Sequence, residues 1–81
     1  MHVRVSLFAR FRDLAGKDHI VVPLTDKATI GDLRQNLMRT FSTAAELIKR
    51  SALAVDNEIT DDERPLQENV EIALLPPVSG G

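Results

Sequence analysis

Ile30, Leu33, Leu37, Met38 and Phe41 recur at helical spacing, and they form the clearest apolar stripe in this 81-residue chain. A helix with one apolar face must bury that face against another layer. Thr29 is the candidate N-cap, and Asp32 stands three residues on, a variant of the capping-box spacing. Arg34, Gln35 and Arg39 fall off the stripe and are expected to face water.

The segments around this helix have a different period. Val3, Val5 and Leu7 alternate with Arg4, Ser6 and Phe8, which predicts a strand with one buried face. Phe8 interrupts the polar side of that alternation. Asp13 to Asp18 reads as a turn or a short helical loop. His19 to Leu24, with Ile20, Val21 and Val22 at its centre, predicts a second strand in a hairpin with the first. Pro23 cannot donate a ladder hydrogen bond, so this strand belongs at an edge. Thr43 and Glu46 repeat the cap spacing and predict a second short helix over about residues 44–49. Leu53-Ala54-Val55 reads as a third strand, Asp56-Asn57 as a turn, and Ile59 as part of a returning arm. Residues 61–65 form a charged loop, and Glu68-Asn69 is another turn. Val70 to Leu75 alternates and then becomes wholly apolar, as a central strand does. Pro76-Pro77 stops it. The order β-β-α-β-β predicts an α+β fold, with one main helix packed on one face of a sheet.

Composition narrows the chemistry. A chain of this length supports one domain. There is no cysteine, so disulfides, thiolate metal clusters and a cysteine nucleophile are excluded. With 43% hydrophobic residues the chain can build one modest core. Ten Lys plus Arg against twelve Asp plus Glu leave a net charge of −2, with no global attraction to nucleic acid or anionic membrane. Met1-His2-Val3-Arg4 passes straight into the first strand pattern with no secretory signal, and a cytoplasmic location is expected. His2 and His19 lack the partner spacing of a metal site, and residues 56–63 lack the spacing and glycine of a calcium loop. No bound cofactor is expected. No glycine-rich phosphate loop is present, so any ATP must be bound by a partner.

The most informative segment is Pro76-Pro77-Val78-Ser79-Gly80-Gly81. Two prolines favour a stiff, extended chain. Fully extended, such a segment reaches about 20 Å. Gly80 and Gly81 carry no Cβ, so the tip can thread a narrow channel. Its reactive group is the α-carboxylate of Gly81. A carboxylate can attack the α-phosphate of ATP, and the resulting acyl-adenylate accepts a nucleophile such as an amine or a sulfide. A glycine pair arises at a given place in roughly 0.5% of chains, so an arbitrary cut is a poor explanation of it.

These residues resemble the ubiquitin-like sulfur-carrier family, and within it the small subunits of molybdopterin synthase. The resemblance covers nearly the whole chain. It rests on Val3 to Ala9 followed by Arg12 and Gly16, on Thr29-Ile30-Gly31-Asp32-Leu33, on Leu53 to Glu58, and on Val70 to Gly81. Pro76-Pro77-Val78-Ser79-Gly80-Gly81 is its most specific element. The sequence departs from the family pattern at Glu68-Asn69, where Gly-Asp is common, and at Asp56, where Asn is common. Both departures lie in turns.

The resemblance implies a β-grasp domain over residues 1–75 and a flexible, extended tail over residues 76–81. First and last strands would be neighbours in a mixed sheet. It also implies that Gly81 is adenylated by an adenylyltransferase related to ubiquitin-activating enzymes. A sulfur donor system would then convert it to a thiocarboxylate. The tail would enter the large subunit of molybdopterin synthase, in a heterotetramer. There its sulfur would pass to cyclic pyranopterin monophosphate to build the molybdopterin dithiolene. The catalytic residues would sit on the large subunit, so the chain is not an enzyme by itself. Pro76, Pro77, Val78, Ser79 and Gly80 would serve as the spacer. Phe8 and Leu75 each interrupt polar alternation on strands the fold makes neighbours. They are expected to join Pro76 in an apolar docking patch, with Arg10 and Arg12 as further partner-binding candidates. Core residues at Phe8 and Leu75, and solvated loop charges at Arg10 and Arg12, are the plainer readings. Other readings of the tail are a sulfur carrier for thiamine or tRNA thiolation, a ubiquitin-like protein modifier, or an inert tail on an interaction module.

Overall fold

The computed structural model describes residues 1–77. In chain order its elements are β1 (His2–Leu7), α1 (Arg10–Ala15), β2 (His19–Pro23), α2 (Ile30–Thr40), a 3-10 turn (Ser42–Ala44), α3 (Ala45–Arg50), β3 (Ala52–Val55), β4 (Glu58–Thr60) and β5 (Glu71–Leu75). The strands form one sheet in the order β2-β1-β5-β3-β4. Among the described residues only the β1–β5 pair is parallel, with Arg4 opposite Glu71 and Leu7 opposite Leu74. The first and last strands are therefore adjacent, and β2 lies at an edge. This is the ubiquitin-like β-grasp arrangement.

The alternation of each strand decides which side is core. Val3, Val5 and Leu7 of β1, Ile72 and Leu74 of β5, and Leu53 and Val55 of β3 are all buried. They face the stripe of α2, from which Ile30, Leu33 and Leu37 are fully buried. Met38 and Phe41 are half-buried at its margin. Truncating Leu37 to Ala would cost about 2–5 kcal/mol, the usual range for a buried leucine.

The start of α2 accounts for its free N–H groups one by one. Asp32 N–H donates to Thr29 Oγ1 at 3.3 Å, and Thr29 N–H donates back to Asp32 Oδ2 at 2.9 Å. The aspartate at this position thus completes the capping box. Ile30 N–H donates to Arg64 O at 2.9 Å and Gly31 N–H to Asp62 O at 2.8 Å. The charged loop is a strap across the helix end. A Cβ on Gly31 would lie 3.2 Å from Asp62 O, so glycine permits the close approach.

Three expectations need correction. Arg34 does not face water: its side chain is 11% exposed. It donates from Nε and Nη2 to Asp62, at 2.9–3.2 Å, and from Nη1 to Ile48 O and Ser51 O, both at 2.7 Å. The planar guanidinium reaches the carboxylate and the carbonyls at the end of α3 together. Thr43 does not cap a helix. The chain enters a 3-10 turn at Ser42, and α3 starts with no side-chain cap bond. The turn or short helical loop expected over residues 13–18 is the end of a helix that begins earlier, at Arg10, with Phe11 buried and Gly16 as its left-handed C-cap at φ 73°. Arg10 and Arg12 are therefore helical residues and not loop residues.

Replacing Arg34 with Ala strands these acceptors. We expect a loss of about 2–4 kcal/mol in denaturant unfolding, with Arg34→Lys recovering only part. A loss near zero for Arg34→Ala would show that the network is not structural.

Candidate functional site

The open face of the sheet carries the candidate docking patch. Leu7 pairs with Leu74 on the buried side, so the next residues along, Phe8 and Leu75, fall on the open side. The chain turns sharply after Phe8. Ala9 has φ 51° and ψ −120°, and Phe11 N–H donates to Phe8 O at 3.1 Å. These angles are those of the first central position of a type II′ turn, where glycine is the favoured residue. The reversal sends Phe11 into the core and leaves Phe8 45% exposed.

Below Phe8 the surface is low. In register across the sheet, Ser6 sits opposite Ala73, Ala73 opposite Ala54, and Ala54 opposite Ile59. A depression of about 360 Å³ is lined by Ser6, Phe8, Ala54 and Ala73, with Asp56, Asn57 and Glu71 at its polar rim. Small side chains on its floor let a partner approach the sheet closely. Ile59 is 68% exposed on the same face and extends the patch. The sequence pattern placed Ile59 in a returning arm but gave it no binding role. The signal was its place in β4: Asp56 and Asn57 both have positive φ, at 50° and 71°, as a type I′ hairpin turn requires. That turn fixes the register that puts Ile59 opposite Ala54.

The expected site residues separate into groups. Phe8 and Leu75 are neighbours on the open face, and Leu75, Pro76 and Pro77 are half-buried. Arg10 and Arg12 are exposed on α1. Arg12 belongs to a different hollow, with Asp13, Gly16, Lys17 and Asp18. In that hollow the Asp18 carboxyl is held below the usual carboxylate range, chiefly by a hydrogen bond from His19 Nδ1 at 3.0 Å. The remaining expected tail residues, Val78, Ser79, Gly80 and Gly81, lie outside the described residues. Among the described residues no three His, Asp or Glu side chains converge as a metal site would require. The patch offers apolar contact and rim hydrogen bonds, which is binding chemistry.

Sheet order, helix position and an open binding face define a ubiquitin-like carrier or interaction fold. Solved structures agree on that fold. Small archaeal modifier protein 1 of Haloferax volcanii superposes with a TM-score of 0.81 at 25% identity, over 95% of this chain and 98% of that one. A chain in the complex of subunits 1 and 2 of the molybdopterin-converting factor of Helicobacter pylori gives 0.70 at 23% identity, over all of both chains. A ubiquitin of Caldiarchaeum subterraneum gives 0.69 at 14% identity, over 100% and 98%.

The sequence comparison is more specific. The model of the ThiS family matches residues 5–81, and the chain belongs to that family. A molybdopterin synthase sulfur carrier subunit of Dictyostelium discoideum is 35% identical, over 96% of this chain and 94% of that protein. The subunit of the same name in Escherichia coli K12 is 32% identical, over 98% and 99%.

Ala9 stores backbone strain beside the patch. Ala9→Gly should raise stability by roughly 1 kcal/mol, read as a higher denaturation midpoint at unchanged slope. Destabilisation would show that the turn is unstrained.

Proposed function

We propose that this chain is the sulfur-carrier subunit of a molybdopterin synthase. The observation that carries the reading is the near full-length match, at 35% identity, to a protein of that name. The geometry supports it. Leu75 ends the central strand beside Phe8, and the chain passes directly into Pro76-Pro77, so the docking patch and the root of the tail are adjacent.

In this reading the Gly81 carboxylate attacks the α-phosphate of ATP on an activating enzyme related to ubiquitin-activating enzymes, and pyrophosphate leaves. A sulfur donor system then displaces AMP and leaves a thiocarboxylate. The domain docks on the large subunit through Phe8, Leu75 and Pro76, while Pro77 to Gly80 span the channel. Sulfur passes to cyclic pyranopterin monophosphate, and two rounds complete the dithiolene. The large subunit supplies the catalytic residues, in a heterotetramer. This chain supplies the sulfur and the docking face. It holds no cofactor of its own, because ATP belongs to the activating partner. The setting is cytoplasmic. Among the described residues no helix is long and apolar enough to cross a membrane.

Reconstitution with a large synthase subunit tests the function. The thiocarboxylated chain should yield the dithiolene from the pterin precursor, and failure with an active large subunit would refute the proposal. Deleting Gly81 should abolish transfer and leave the thermal midpoint unchanged, because the buried core of the described residues ends at Leu74. Phe8→Asp should weaken large-subunit binding by at least tenfold, as loss of a central apolar anchor does, again at unchanged stability. Unaltered binding would place the interface elsewhere.

A further inference from the structure

Phe8 stands one residue beyond β1, so the strand ladder holds it from one side only. From the other side it is held by the turn Phe8-Ala9-Arg10-Phe11, closed by Phe11 N–H donating to Phe8 O at 3.1 Å. The far end of that turn is fixed, because Phe11 is the buried residue of α1. Ala9 O accepts the next helical bond, from Asp13 N–H at 3.2 Å, and α1 has no side-chain cap to replace it. Leu7 pairs with Leu74, so this turn decides where the Phe8 ring stands relative to Leu75.

The residue types at positive φ set Ala9 apart. Among the described residues Gly16, Asp56, Asn57 and Asn69 also have positive φ. Glycine has no Cβ to clash, and Asp and Asn tolerate this region because their short side chains bond the local backbone. Alanine has neither compensation. At φ 51° and ψ −120° it occupies a turn position that glycine normally takes. The other end of α1 shows the usual solution, Gly16 at φ 73°. A glycine at position 9 would relieve the strain, but it would also give the turn a broad range of backbone angles. With alanine there are few alternatives. The burial of Phe11 excludes the negative-φ wells, and the Cβ narrows the positive one.

We propose that Ala9 is a positioning residue for docking: its Cβ at positive φ keeps the turn rigid, so that Phe8 is set beside Leu75 before a partner arrives. Ala9 is exposed and has one methyl group to offer, so its effect runs through Phe8. Fixing an apolar anchor during folding removes the cost of ordering it from the binding step. The strain is the stability given up for that order. The partner is the large synthase subunit, so this inference rests on the sulfur-carrier reading.

Three full-length chains made by chemical synthesis separate strain from rigidity: the unaltered chain, Ala9→Gly and Ala9→D-Ala. Glycine removes both the strain and the Cβ. For D-alanine the same angles mirror the favourable extended region, so the strain goes and a Cβ stays. Amide relaxation is measured on each free chain, and binding to the large subunit by calorimetry. In the unaltered chain the amides of residues 8–10 should show order parameters near the rigid value of about 0.85. Ala9→Gly should lower them and weaken binding by roughly fivefold, the equivalent of freezing part of one residue's backbone freedom, although it is the more stable protein. Ala9→D-Ala should be stabilised as well, yet keep the order parameters and the binding of the unaltered chain. A glycine variant as rigid as the unaltered chain overturns the proposal. So does D-alanine binding as weakly as glycine. Equal binding by all three chains refutes the docking role alone. No binding by the unaltered chain refutes the sulfur-carrier reading and this role with it.

Discussion

The parallel pairing of β1 with β5 is the constraint on which the rest depends. Parallel neighbours cannot be joined by a tight turn, so everything between Leu7 and Glu71 is one long crossover. That crossover must lay α2 over one face and add strands on both sides. The other face stays open. The same pairing sets Phe8 beside Leu75, although they stand at opposite ends of the sequence, and so places the candidate docking patch next to Pro76.

Arg34 and Asp62 hold the crossover in place. The loop that contributes Asp62 also satisfies the first N–H groups of α2, and Arg34 reaches from α2 to the carbonyls that end α3. Helix start, helix end and the entry to β3 thus meet at one cation. Its position beside the C-terminal carbonyls of α3 is favourable for the helix dipole as well. With the helices tied to one side in this way, the opposite face of the sheet is left open.

Much of this was legible in the sequence because the relevant physics is local. Alternation marked β1 and β5, the stripe Ile30 to Phe41 marked α2, and Asp56-Asn57 marked the β3–β4 turn. Pro23 placed β2 at an edge. Arg34 was misread because helical spacing shows only that it lies off the apolar stripe. Its burial is set by Asp62 and α3, both remote in sequence. The start of α1 was missed because Ala9 occupies a turn position where glycine is the usual signal. Thr43 had cap spacing, but the chain was already turning at Ser42. Phe8 and Leu75 were legible as broken alternation, whereas Ile59 needed the register of a three-residue strand. The tail was read from its chemistry, with no help from periodicity.

A carrier of this kind separates two tasks that an enzyme combines. In the proposed reading the folded domain provides recognition, and a main-chain carboxylate provides the reactive group. The chain has no cysteine, so in that reading sulfur has no side-chain thiol to rest on and is carried on Gly81. The most direct test is an intact-mass measurement after incubation with the activating enzyme, ATP and a sulfur source, followed by fragmentation. The account predicts a gain equal to one oxygen-to-sulfur exchange, localised to Gly81. No gain under conditions that charge a control carrier, or conjugation of Gly81 to lysine side chains instead, would contradict it.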